Sequence, residues 1–159
     1  MDRMINYNNN ENKRLVPAGI IQATYFKTFK YILPVYLVLL KYSHIRDDDS
    51  TRYTVYVSVE KILQELSGLP VSFTDIQLLL SIFETDVVRV EYSPYNMFAT
   101  KDVFGNTFML FEFEPRRSLT HEDQDVWVPM NEIDNRIQTV KELVQVDPCL
   151  AAESMYKEL

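Results

Sequence analysis

The sequence is poor in glycine, cysteine and histidine, and each shortage excludes a class of chemistry. Three glycines in 159 residues leave no Gly-rich loop to cradle a nucleotide phosphate. A single cysteine, Cys149, excludes an intramolecular disulfide framework and fits a reducing compartment. Cys149 follows Pro148 near the C-terminal end, with no basic neighbour to generate a thiolate. The only two histidines are His44 and His121, and the HEDQD stretch at 121–125 lacks the second histidine of a zinc-binding helix. No catalytic residue, cofactor or metal site is therefore expected, and the chain does not read as an enzyme. Long apolar runs are also missing. The longest, residues 32–40, has nine residues against the roughly 20 needed to cross a bilayer, so it reads as a buried helix. The first fourteen residues are polar and Asn-rich, without a cleavable signal pattern. A cytoplasmic protein with no membrane partner is expected.

What is present is a large apolar and aromatic content. Hydrophobic residues make up 47% and aromatics 13%, enough for one domain with a substantial core. The net charge of −7 is unevenly spread: residues 1–46 hold seven Lys/Arg against two acids, a balance of +5, which leaves −12 for the rest. A phosphate backbone would meet the N-terminal third, and a basic protein partner the acidic remainder.

Residues 1–14 read as a flexible arm, and 15–21, interrupted by Pro17, as an edge strand or extended lead-in. Tyr25, Phe26, Phe29 and Ile32 recur at helical spacing, with Lys27 and Lys30 opposite, which predicts an amphipathic helix with a basic outer face. Pro34 suits the first turn of a central helix continuing over 35–45. The acids at 47–49 end it as a solvated loop, because the ligand spacing of a calcium-binding loop is absent. Tyr53, Val55, Val57 and Val59 alternate with polar positions and predict a strand. Ser58 then caps a helix whose buried face is Ile62, Leu63 and Leu66; Gly68 ends it and Pro70 prevents its continuation. Ser72 or Thr74 caps the next helix, from Phe73 to about residue 85. Residues 87–92 and 108–113 alternate as a hairpin around the long loop 93–107, with Glu112 and Glu114 on its polar side. After a polar linker at 118–125, the VWVP segment at 126–129 is a weak echo of the LVP segment at 15–17. Ile133, Ile137, Val140 and Val144 form a four-three-four seam on a C-terminal helix. Such a seam either dimerises or packs back on its own domain. Residues 149–159 add at most one short turn.

Helix, tight turn, helix, hairpin is the skeleton of a winged helix-turn-helix. The expected fold class is α+β, a winged helix-turn-helix with N-terminal and C-terminal helical extensions. Residues 1–14 would be the arm, 15–117 the winged-helix domain, and 118–159 the linker and C-terminal helical extension. On the second helix of the motif, Thr74, Gln77, Ser81, Glu84 and Thr85 share a sector of roughly 100°. There Gln77 could bond an adenine edge, with Thr74 and Ser81 as smaller readers. The same stripe also reads as a face that meets water, or, with Leu78 at its border, as a face that packs on another protein or a second copy. No Lys or Arg lies between Lys61 and Arg89, although phosphate contacts supply most of the affinity in DNA complexes. Over residues 30–114 the apolar helix around 34–40, the strand 53–57, the helix-turn-helix 59–83 and the hairpin beginning VVRV at 87–90 resemble the winged-helix domains of DnaD-type primosome proteins and plasmid Rep initiators of bacteria and phages. The resemblance implies a dimer that binds double-stranded DNA in replication initiation, plasmid or phage maintenance, or transcription control. Lys13, Arg14, Lys27, Lys30 and Lys101 are the expected phosphate contacts, and Thr74, Gln77 and Ser81 the base readers. The alternative is an acidic interaction module that docks on a basic partner or regulates a DNA-binding protein without touching DNA.

Overall fold

The computed structural model describes residues 13–21, 30–45, 52–82, 88–92, 100–101, 107–115 and 124–157. Residues 1–12 of the expected 1–14 arm, residues 22–29 of the predicted helix with Lys27, the acidic loop at 47–49 and residues 118–123 of the linker lie outside the described residues, and residues 13–14 of the expected arm belong to a strand. The fold is mixed α+β. Strand β1 (Lys13–Val16) is followed by the short helix α1 (Ala18–Ile21) and the core helix α2 (Ile32–Lys41). Strands β2 (Ser43–Ile45) and β3 (Tyr53–Ser58) lead into helix α3 (Val59–Glu65) and helix α4 (Phe73–Ile82). Strands β4 (Val88–Tyr92), β5 (Thr100–Lys101) and β6 (Thr107–Pro115) follow. Strand β7 (Val126–Pro129) and helices α5 (Ile133–Val146) and α6 (Pro148–Ser154) complete the chain.

The main sheet is antiparallel in the order β2-β3-β6-β4, with β5 also paired to β6. Its inner face is built by the alternation read from the sequence. Tyr53, Val55 and Val57 on β3 and Phe111 and Phe113 on β6 are all buried, while Tyr56 is 53% exposed on the opposite face and stacks on Phe108. Glu112 and Glu114 alternate with the buried phenylalanines. Helix α2 is buried along its whole length up to Leu40, which explains its nearly uniform apolar composition. It stops at Lys41, earlier than the expected 45. Ser43, His44 and Ile45 leave it to pair with Val55, Thr54 and Tyr53, and the Ser43 hydroxyl donates to the Leu40 carbonyl (2.6 Å).

The two echoing segments prove to be partners. β1 and β7 pair antiparallel, Leu15 opposite Trp127, so the extended lead-in is half of a two-stranded ribbon, and α1 follows it after Pro17. The Asp125 carboxylate accepts the Ala18 N–H (2.7 Å), tying the end of the linker to α1. The four-three-four seam of α5 is also accounted for. Ile133, Ile137, Val140 and Val144 are buried in the same hydrophobic cluster as Val16, the α2 residues and Phe113. The seam therefore offers no face to a second copy, and the C-terminal extension shares the core of the rest. Pro148 does more than end α5. It opens α6, whose first turn is capped by Asp147 through the Cys149 N–H (2.9 Å). The C-terminal end of α6 is held by Arg136, which donates to the Ser154 and Met155 carbonyls (3.2 and 3.3 Å).

Strand β1 is fastened to the body by two tyrosines. The Tyr36 hydroxyl donates to the Leu15 carbonyl (2.8 Å), and the Leu15 N–H donates to the Tyr53 hydroxyl oxygen (3.0 Å). Burial raises both phenols above their ordinary value; Tyr53 adds to the rise at Tyr36, while the Leu15 N–H and then Arg14 oppose it at Tyr53. The unfolded chain releases these protons near about pH 10 while the fold retains them, so stability is intact below that pH and falls as pH rises further. Thermal melts between pH 8 and 11 should show this decline. Tyr36→Phe should lose about 1–3 kcal/mol at neutral pH, because the Leu15 carbonyl loses its hydroxyl donor, and should show a shallower alkaline decline. An unchanged alkaline decline in Tyr36→Phe would mean that other groups drive it.

Candidate functional site

The segment from α3 through α4 carries the residues singled out for recognition. Ser58 accepts the Lys61 N–H (3.0 Å) and starts α3. The helix ends at Leu66, and Gly68 follows with φ +93°, a left-handed conformation that a side chain would strain. The chain then reverses through Leu69 and Pro70. Ser72 starts α4 in a reciprocal arrangement: its hydroxyl accepts the Asp75 N–H (3.3 Å), and the Asp75 carboxylate accepts the Ser72 N–H (2.8 Å). This is a capping box with aspartate in the acidic position. It fixes the first turn of α4, so that Ile76 points into the core while Thr74 and Gln77, one turn apart, are both exposed. Thr74 and Gln77 are thus brought to one accessible face. Ser81 is in the last turn of α4, outside the residues whose side chains are described.

The expected phosphate contacts divide. Lys13 is exposed at the start of β1, and Lys30 is exposed just before α2, its Nζ 5.6 Å from the Tyr31 ring centre. Lys101 lies in β5, opposite Thr107, a short strand within what the sequence predicts as loop 93–107; its side chain, like all of Lys27, lies outside the described residues. Arg14 is a correction. It is only 5% exposed, and its guanidinium donates to the Ser43 hydroxyl (2.9 Å), the Ser43 carbonyl (3.2 Å) and the Lys13 carbonyl (3.1 Å) while lying 5.5 Å over the Tyr53 ring. Burial lowers its pKa, with Tyr53 opposing. Its work is to join β1 to the β2 end of the main sheet, and it presents no charge to a ligand.

Sequence reasoning missed a polar network behind this segment. Lys41 of α2 meets Glu65 of α3 (2.5 Å) and Asp134 of α5 (2.8 Å), and hydrogen bonds to these two carboxylates raise its pKa well above the ordinary lysine value. Lys141 of α5 donates to the Glu65 carbonyl (3.0 Å). No local signal could have revealed it, because its members come from three helices. Among the described residues no group of three or more His, Cys, Asp or Glu side chains is placed to hold a metal ion. Cys149 is exposed, and desolvation and the Asp147 carboxylate raise its pKa, which disfavours the thiolate. No described helix is long and apolar enough to cross a membrane. No protein-family profile matches the chain, and no significant match to a curated protein or a solved structure was found.

Proposed function

We propose that this is a cytoplasmic winged-helix protein that binds double-stranded DNA in replication initiation, plasmid or phage maintenance, or transcription control. The observation that carries the reading is the order of elements. Helix α2 precedes β3, helices α3 and α4 follow it across a tight turn, and β4 and β6 return to complete a sheet in the order β3-β6-β4. This order supports the winged-helix reading, in which α4 would be the reading helix. The exposed Thr74 and Gln77 supply hydroxyl and amide groups that match base edges in the major groove. Ser81 extends the same helix, and Lys13, Lys27, Lys30 and Lys101 are the phosphate contacts in this reading. Strand β2, the β1–β7 ribbon and helices α5 and α6 are additions to the basic unit.

The test is a fluorescence-anisotropy titration of random-sequence duplex DNA against salt. Four phosphate contacts give a log–log slope of about −3.6 and roughly a 150-fold loss of affinity between about 50 and 200 mM salt. Binding that ignores salt, or none at the lowest salt, defeats the proposal. One observation favours a second reading, the acidic interaction module: Arg14 and Lys41 are engaged inside the fold, which thins the basic N-terminal third. In that reading the purified protein leaves duplex DNA unbound and retains a basic protein partner instead.

A further inference from the structure

The end of α3 is held from outside the α3–α4 pair. Glu65 is the last residue of α3, and its carboxylate meets Lys41 of α2, which also meets Asp134 of α5. The Glu65 backbone carbonyl accepts from the Lys141 ammonium across 76 positions of sequence. The last carbonyls of a helix have no intrahelical donor, and a cation placed there also complements the helix dipole. Lys141 therefore acts as a C-terminal cap supplied by another element. Immediately beyond it the chain turns: Leu66 and Leu69 are buried, Gly68 takes its positive φ, and α4 starts at Phe73. The angle at which α4 leaves α3 is decided in these few residues. Helix α5 in turn cannot drift, because Ile133, Ile137, Val140 and Val144 fix it in the core.

We propose that α5 is a strut that sets the α3–α4 turn, with Lys141 as the positioning residue that holds the near end of the turn and so orients the exposed face of α4. The structural part stands on this geometry; the consequence for recognition rests on the DNA-binding reading. The C-terminal extension then belongs to the recognition machinery although it contributes no contact to the ligand.

The test compares the full chain with Lys141→Met, which keeps the aliphatic stem, and Lys141→Arg, which keeps a cationic donor. In Lys141→Met, amide hydrogen exchange of Leu66, Ser67, Leu69 and Val71 should be about tenfold faster, while the amides of β3 and β6 keep their rates. Lys141→Arg should restore the original exchange. DNA affinity at fixed salt should fall about three- to tenfold in Lys141→Met with the salt slope unchanged, whereas loss of a direct phosphate contact would reduce the slope by about 1. Unchanged exchange in the turn, acceleration spread evenly over the sheet, or failure of Lys141→Arg to restore it would overturn the strut. Faster exchange without loss of affinity would overturn its orienting role. If the unmodified protein binds no DNA, the DNA-binding reading fails, and the exchange comparison still decides whether Lys141 holds the turn.

Discussion

Replacing Phe113 by alanine is expected to lower the thermal midpoint by about 6–20 °C, equivalent to about 3–5 kcal/mol. Phe113 sits in β6 between Tyr53 of β3 and Val90 of β4 and is 1% exposed. Its ring meets Tyr53 edge-on (centroids 5.4 Å, 82°), Tyr36 of α2 edge-on (6.0 Å, 65°), and Phe111 in a stacked geometry (6.0 Å, 29°). It thus touches both the sheet and the core helix, and the same two tyrosines hold β1. Deleting the ring removes its burial, leaves a cavity between rigid neighbours and loosens the tyrosines that bind Leu15. For a domain with about 5–15 kcal/mol in hand, this is a large fraction. Chemical denaturation of Phe113→Ala, compared with Phe108→Ala on the opposite face of the same strand, measures it. A loss below about 1 kcal/mol would mean that the sheet is not packed on α2 through this ring.

The sequence made some of this legible because some elements are encoded locally. The alternation from Tyr53 to Val57, the Ser58 cap and the Gly68 turn each depend on neighbours within a few positions, and the structure places each as expected; of the two caps open for α4, Ser72 or Thr74, it selects Ser72. The seam of α5 was visible in its spacing, but the partner of the seam was not, because periodicity identifies a buried face without saying what covers it. Strand β2 is illegible in the sequence for another reason. Three residues, Ser43, His44 and Ile45, are too few to show a period, and only the pairing with β3 makes them a strand. The likeness of 15–17 to 126–129 shows in the sequence only as an echo of composition, whereas its meaning is a pairing of segments more than one hundred positions apart. The same separation hides the role of Arg14. A guanidinium beside Lys13 looks like a basic patch until Ser43 and Tyr53 arrive from distant parts of the chain. For the candidate site, the exposure of Thr74 and Gln77 follows from the helical wheel, and the Lys41, Glu65 and Lys141 network does not.

Arg14 and Lys30 are expected to give opposite results when replaced, and the contrast separates folding from binding. Arg14→Met keeps a flexible stem of similar length but removes three donors to Ser43 and Lys13 and the cation over the Tyr53 ring. Hydrogen bonds to a charged donor contribute about 1.5–3 kcal/mol each at most, and the acceptors it leaves lie in a partly dry site. The expected loss is about 2–3 kcal/mol of stability, seen as a lower denaturation midpoint, with the DNA affinity and salt slope of the folded protein unchanged. Lys30→Glu, at an exposed position, should move stability by no more than about 0.5 kcal/mol. It should weaken duplex binding about tenfold and reduce the magnitude of the salt slope by about 1, because it removes one phosphate contact and adds a repulsive charge. If Arg14→Met instead lowered affinity with little loss of stability, Arg14 would have to leave its buried site to reach the ligand. If Lys30→Glu left both affinity and slope intact, the N-terminal end of α2 would lie outside the proposed DNA-binding surface, and the phosphate contacts would have to come from elsewhere, such as Lys101 on β5.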